Sequence, residues 1–399
     1  MLRLLSLLML LISFSAFAQN INVEEESFYN SLTQMIKTNK KIHTFLMSPE
    51  EKKIFVDVLW DLKHLEEMDV ENYAVDGLEQ DFDIQQKIRF VMMLGSAPFD
   101  LMNALATEAL VNLKTRQGFG HFILAYEKEI NQLGMNHLVF QAKMNFPEVA
   151  KFLNNGEARV GNQTQLARDL WESTPDLTSY AGGRYNKGIK LYMFCSTNRL
   201  YACLMLGKDA EDRPILNADG SLWTHQSLAS SARNIPSFQR NGNTPAGVHH
   251  IDGVMPFADQ NLSFGKFRRL ILNFVPASQN ESLTRSLLPE ASRSSQWWMP
   301  SVVARDVGRS LLRIHGTGRI NTWPDSSWYP FIRTSGCIAQ RENTYNGVEF
   351  TDQRILLDTL MLAQGLEPKF ENETRIKGLL YFIEINDQAK AVSVSDLGL

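Results

Sequence analysis

The chain has 399 residues, 44% of them hydrophobic and 21% charged, with 40 Lys and Arg against 44 Asp and Glu. These fractions exclude a wholly disordered chain and supply material for one large core or two ordinary ones. A formal net charge of -4 gives no basic field for generic nucleic-acid binding, and three cysteines are too few for a disulfide scaffold.

In chain order, the opening stretch MLRLLSLLMLLISFSAFAQN has the parts of a secretory signal peptide. Arg3 supplies the positive end, Leu4 to Phe17 an apolar run broken only by serines, and Ala16-Phe17-Ala18 a small-x-small cleavage pattern. The run is shorter than the roughly 20 apolar residues of a spanning helix, and no second run reaches that length. Residues 1–18 are therefore expected to be removed. The mature protein is then soluble, without a membrane span, and exported to a compartment that permits disulfides.

From about Glu24 to Trp171 the periodicity is helical. Phe28, Leu32, Met35 and Ile36 follow the i, i+4, i+7, i+8 rule. Ser48-Pro49-Glu50-Glu51 reads as a capping box opening a helix whose apolar face is Ile54, Phe55, Val58, Leu59, Leu62 and Leu65. Further amphipathic runs lie at 84–94, 98–113, 120–133, 147–154 and 163–172. The expectation is a helical accessory domain over residues 19–178, carrying no chemical motif and open to a protein partner.

After Thr178 the texture changes. Ser179-Tyr180-Ala181-Gly182-Gly183-Arg184 reads as a linker. Short β-rich runs follow at Leu191 to Cys195, Leu200 to Leu206, Arg269 to Val275, Leu311 to His315 and Leu379 to Ile385. One helix interrupts them, from Thr351 as N-cap to the terminal Gly365. The class is α+β, a helical N-terminal part followed by a mostly β part.

The chemistry concentrates in Leu311 to Arg341, LLRIHGTGRINTWPDSSWYPFIRTSGCIAQR. His315 closes an apolar strand, and Cys337 follows 22 residues later in Thr334-Ser335-Gly336-Cys337-Ile338. A thiol is a useful nucleophile near neutral pH only when a base or a positive charge favours the thiolate. A histidine at a strand end facing a cysteine on a glycine-containing turn meets that need. The glycine lets backbone N–H groups crowd the sulfur, where they can bind a developing oxyanion.

At these residues the sequence resembles the L,D-transpeptidase catalytic domain family, whose signature is a His followed by [Ser/Thr]-His-Gly-Cys and an apolar residue. His315, Thr334, Gly336, Cys337 and Ile338 match it, and Ile314-His315-Gly316-Thr317 is similar to its start. Upstream, Asn243-Thr244-Pro245-Ala246-Gly247-Val248-His249-His250-Ile251 resembles the Thr-Pro-x-Gly-x-aromatic-x-Ile segment of the same family. The resemblance covers about residues 185–387, leaving 388–399 as a C-terminal tail. It implies a sandwich-like β catalytic domain in the periplasm, acting on peptidoglycan stem peptides without metal or cofactor. Cys337 would be the acylated nucleophile, His315 its base, and the backbone at Ser335 and Gly336 the oxyanion hole. The family attacks the third residue of a tetrapeptide stem and expels D-Ala. The acyl group then passes to an amine, or to water as in an L,D-carboxypeptidase.

The sequence departs from the signature at Ser335, where His is usual, and at Ala339, where Arg or Asn is common; Arg333 or Arg341 is the candidate replacement. These departures also admit a non-catalytic cell-wall binding module. Thr317, Trp323, Trp328, Tyr329, Arg333 and Thr334 are candidate substrate contacts, the aromatic residues forming either a cleft wall or ordinary loop packing. Trp297-Trp298 has the same two readings. His249-His250 has no third metal ligand at a recognisable spacing and reads as structural. Cys195 and Cys203 flank a hairpin turn, either as a cross-strand disulfide or as two buried thiols, with Cys337 the odd one left over.

Overall fold

The computed structural model describes residues 23–65, 68–70, 73, 82–95, 98–155, 163–172, 177–178, 180–276, 285–288, 290–293 and 296–399. Residues 1–18, expected as a signal peptide, lie outside them. The chain divides into two compact units, Asn20–Asn154 and one containing Asn155–Leu399. The fold is α+β, and among the described residues no helix is long and apolar enough to cross a membrane.

In the first unit, helices run over 23–37, Pro49–Leu65, Ile84–Leu94, Phe99–Thr115, Gln117–Ala125, Glu127–Gln132, Asn136–Asn145 and Pro147–Asn155. The Ser48 box forms as the sequence implies. The Ser48 N–H donates to the Glu51 carboxylate at 2.7 Å, and the Glu51 N–H donates back to the Ser48 hydroxyl at 3.2 Å. The helix it opens buries Phe55, Val58, Leu59 and Leu62. A buried Arg89–Asp57 ion pair joins it to Ile84–Leu94. The run at 120–133 is two helices broken at Tyr126, whose ring packs edge-on against Trp60. Helix Asn136–Asn145 buries only Leu138, Val139 and Ala142, too thin a stripe to show in the sequence.

The second unit is built on an eight-stranded mixed sheet. In chain order its strands are β1 (Ile189–Ser196), β2 (Cys203–Lys208), β3 (His225–Ser227), β4 (Gly247–Val254), β5 (Leu270–Phe274), β6 (Leu312–His315), β7 (Ile338–Ala339) and β10 (Lys377–Asn386). Strands β8 (Glu342–Tyr345) and β9 (Val348–Thr351) form a separate hairpin. The spatial order is β3-β2-β1-β10-β4-β5-β6-β7, with β1/β10 and β6/β7 parallel.

The two edges meet. Leu228, just after β3, exchanges hydrogen bonds with Ala339 of β7 at 3.0 and 2.8 Å. The Gln340 side chain bonds to His225 and Ser227 of β3, while its N–H donates to the His315 carbonyl. The result is one sheet rolled nearly into a barrel rather than the sandwich expected, and the edge bonding is the reason.

Both faces of the sheet are buried, which is why its strands read as continuous apolar runs. Alternate residues of β1, β2, β4, β5, β6, β7 and β10 meet Leu356, Leu357, Leu360 and Met361 of the helix Asp352–Ala363 in one core. That helix ends as expected at Gly365 (φ +69), with the Leu366 and Gly365 N–H groups donating to the Met361 and Leu362 carbonyls. The other core gathers Tyr192, Phe194, Val248 and Tyr381 with Trp297 and Trp298, which are core residues and not part of a cleft.

Three expected boundaries move. Helix Thr164–Glu172, read with the helical part, buries Ala167, Leu170 and Trp171 in this second core. The expected linker is anchored too: Tyr180 is buried with its hydroxyl 2.6 Å from His250 Nε2, and Arg184 pairs with Asp252 at 2.7 Å. Its aromatic and cationic side chains outweigh the turn character of its glycines. The tail 388–399 docks as well, with Val392 and Leu397 in the core and the Val392 N–H on the Ala202 carbonyl.

Cys195 and Cys203 are disulfide-bonded across the β1–β2 hairpin, with Cα atoms 4.4 Å apart, the spacing of a directly opposed pair. Replacing both by Ala frees a loop whose ends are 8 positions apart. The expected loss is about 2–3 kcal/mol of unfolding free energy, read from urea midpoints. Equal midpoints for the variant and the oxidised parent would contradict it.

Candidate functional site

His315 ends β6, which pairs with β7 through Ile314↔Ile338 and His315↔Ala339. Cys337 immediately precedes β7, so the pairing sets it alongside Arg313, two residue pairs from His315. Strand β5 flanks the other side of β6, pairing Leu270 with Ile314 and bringing Arg269 next to His315. The histidine thus sits between an arginine-bearing strand and the strand that follows the cysteine.

His315 is buried, and its Nδ1–H donates to the Gly316 carbonyl at 2.6 Å. With Nδ1 as the donor, Nε2 of the neutral ring is the acceptor nitrogen, as a general base requires. The His315 pKa is held down to about 4, mainly by burial, with the Arg269 and Arg313 charges acting in the same direction and the Gly316 hydrogen bond opposing them. Phe264 meets the ring edge-to-face at 5.0 Å, and Arg269 stacks over the face of Phe264 at 4.2 Å.

Cys337, half-buried, is the cysteine outside the disulfide, and its thiol donates to the Leu311 carbonyl at 3.8 Å. The turn before it is held by Thr334, whose hydroxyl donates to the Cys337 carbonyl at 2.6 Å and accepts the Gly336 N–H at 3.1 Å. That bond ties the Gly336 amide into the turn, and the residue also has a conformational role. Its φ is +102, and a Cβ there would lie 2.2 Å from Arg309 Nη2 and 2.3 Å from the Gly242 oxygen. Ser335 is exposed beside it.

The buried Arg309 is the organiser that the sequence did not flag. Its guanidinium bonds the Ser237 carbonyl, the Asn243 carbonyl at 2.5 Å, the Gly242 carbonyl at 2.6 Å and the Gly336 carbonyl at 3.4 Å. Thr244 of the upstream motif donates its hydroxyl to the same Gly336 carbonyl at 2.9 Å. Two motifs far apart in sequence are thereby hydrogen-bonded at the residue preceding the cysteine. Val307-Gly308-Arg309 carries no pattern that announces this, since a buried arginine surrounded by carbonyls is a tertiary property.

The other candidates separate into scaffold and surface. Thr317 is buried with its hydroxyl on the Leu262 carbonyl at 3.1 Å, so it fixes the loop. Trp323 is 65% exposed. Trp328 is half-buried beneath the Arg333 guanidinium at 4.4 Å, and Tyr329 packs edge-on against Tyr345. Arg341 pairs with Asp352 at 2.6 Å. His249 donates to the Pro245 carbonyl at 2.9 Å, a structural role matched by His250 on Tyr180. Among the described residues no three His, Cys, Asp or Glu side chains cluster to hold a metal ion. A cavity of about 690 Å³ opens elsewhere, lined by Arg213, Ile215, Trp223 and Leu362 among others. Neither His315 nor Cys337 lines it, so chemistry rather than volume marks the site. No known protein family, curated protein or solved structure matches the chain.

Two outcomes follow from this geometry. Gly336→Ala is expected to cost about 2–3 kcal/mol of stability, because a positive φ and a backbone collision act together. Gly347, at φ +79 with nothing within 4 Å, is the control: its Ala variant should lose only about 1 kcal/mol. Equal losses would mean that the Arg309 contact is slack.

The second concerns pH. His249, His250 and His315 all have pKa values held down to about 4 by burial, against an ordinary 6.5. Unfolding therefore takes up protons, and stability falls as pH drops from about 6.5 toward about 4. At pH 5.5 the slope of unfolding free energy should correspond to roughly two to three protons. A flat profile over that window would rule out three neutral buried imidazoles.

Proposed function

We propose that the unit containing Asn155–Leu399 is a cysteine acyltransferase of the L,D-transpeptidase type, acting on peptidoglycan stems outside the cytoplasmic membrane. The observation that carries this reading is that the β6–β7 pairing sets His315 opposite Ala339, two positions past Cys337, while Thr334 and Thr244 of the upstream motif hydrogen-bond the Cys337 and Gly336 carbonyls. Spacing alone supplied the residue types; the hydrogen bonds supply a reason for the spacing.

In this mechanism the Cys337 sulfur attacks the carbonyl of the third stem residue while Nε2 of His315 takes the thiol proton. An S–C bond forms, the C–N bond to D-Ala breaks, and the imidazolium returns its proton to the departing amine. The thioester then passes to an amine of a second stem, to a free D-amino acid or to water. Arg309 and Arg313 place positive charge by the turn, where it favours the anionic sulfur. The exposed Trp323 and the Arg333–Trp328 stack offer faces for the stem or its sugar.

The test is acylation by a carbapenem and conversion of tetrapeptide-stem muropeptides, each compared with Cys337→Ala. The expected result is one covalent adduct on Cys337 and loss of D-Ala, both abolished in the variant. Sacculus binding that is indifferent to Cys337→Ala, with no adduct, would instead make the unit a binding module. Product analysis with and without an amine acceptor separates transpeptidation and exchange from carboxypeptidase activity.

A further inference from the structure

Glu342, the first residue of β8, is a buried carboxylate. It is 2% exposed. Its Oε2 accepts the Lys266 N–H at 2.9 Å, and its Oε1 has no hydrogen-bond partner among the described residues. Burial raises its pKa above the ordinary carboxylate value, with Asp352 raising it and Lys266 opposing. A buried carboxylate oxygen without a partner carries a desolvation cost that an apolar side chain of the same shape avoids.

The fold nevertheless reserves this space. A Cβ on Gly265 would lie 2.4 Å from Oε2, and one on Gly316 would lie 2.1 Å from Oε1. Gly316 is also the residue whose carbonyl receives the His315 Nδ1–H. The orphan oxygen therefore abuts the peptide that orients the histidine.

The charges around His315 explain what a carboxylate does there. Arg313 on β6 and Arg269 next to β5 both disfavour the imidazolium. The neighbouring anions are already engaged: Asp259 pairs with Arg269 at 2.8 Å, and Asp352 pairs with Arg341 at 2.6 Å. When His315 takes a proton, a positive ring forms in a buried, cationic environment.

We propose that Glu342 is a positioning residue for His315, acting from behind the Gly316 peptide by holding it in place and by placing a negative charge there. The inference rests on the reading of His315 as the base of Cys337. The proton moves from the Cys337 sulfur to His315 Nε2, Nδ1–H stays on the Gly316 carbonyl, and Glu342 neither gains nor loses a proton.

The experiment is the pH profile of Cys337 alkylation by iodoacetamide, which needs no muropeptide. Glu342→Gln keeps the shape and removes the charge. Its rate at pH 6.5 is expected to fall about tenfold, equivalent to one unit in the profile, and to rejoin wild type above about pH 9. In a His315→Asn background the same change should have no effect. Glu342→Asp, which keeps the anion, should stay within about threefold of wild type at pH 6.5, and it serves where the Gln variant does not fold.

Superimposed wild-type and Gln profiles would overturn the proposal. So would a tenfold drop that persists in the His315→Asn background, or one seen in a folded Asp variant. Failure of the acyltransferase reading shows separately, as absent muropeptide products with these alkylation differences intact.

Discussion

Carbonyl oxygens repel one another, and the site brings four together on one buried cation. The guanidinium of Arg309 accepts this crowding at Ser237, Gly242, Asn243 and Gly336. A planar group with five N–H donors can satisfy acceptors in several directions at once, where the three donors of a lysine diverge from one point. Ser237 to Asn243 lead into Thr244, and Gly336 leads into Cys337. One side chain thus sets the separation between the upstream motif and the cysteine. The left-handed Gly336, the Thr334 turn and the Thr244 hydroxyl bond belong to the same network.

The rolled sheet makes a second use of shared partners. Strand β7 is only two residues long, yet it is tied to β6 by pairing, to Leu228 by reciprocal bonds and to β3 through Gln340. A short strand bonded on both sides has little freedom to shift register. Its position relative to His315 is therefore a property of the whole closed sheet and not of the loop between residues 315 and 334. That loop is itself pinned, since Asn321 bonds the Tyr345 hydroxyl and the Phe331 carbonyl.

Much of this architecture is legible as periodicity and turn chemistry. The Ser48 box, the helix ending at Gly365 and five of the strands follow directly from local sequence, because each rests on contacts within a few residues. His315 and Cys337 stand out because strand end and glycine turn are local features too. Arg309, Arg269 and Glu342 are silent, since a buried charge looks like a surface charge until its neighbours are known. The same limit hides the barrel closure, which depends on Leu228 meeting Ala339 more than a hundred positions away. Tyr180 and Arg184 mislead in the opposite direction, their glycine-rich context outweighing the side chains that anchor them.

The sheet has its centre at the end of the sequence. Strand β10 lies between β1 and β4 and pairs with both, yet it follows the other strands of the described residues in sequence. Until residue 386 emerges, β1 has no parallel neighbour and the two cores have no common wall. The first strands must wait, open, for nearly two hundred residues of translation. Such an order keeps the sheet from closing around its centre until β10 has been made.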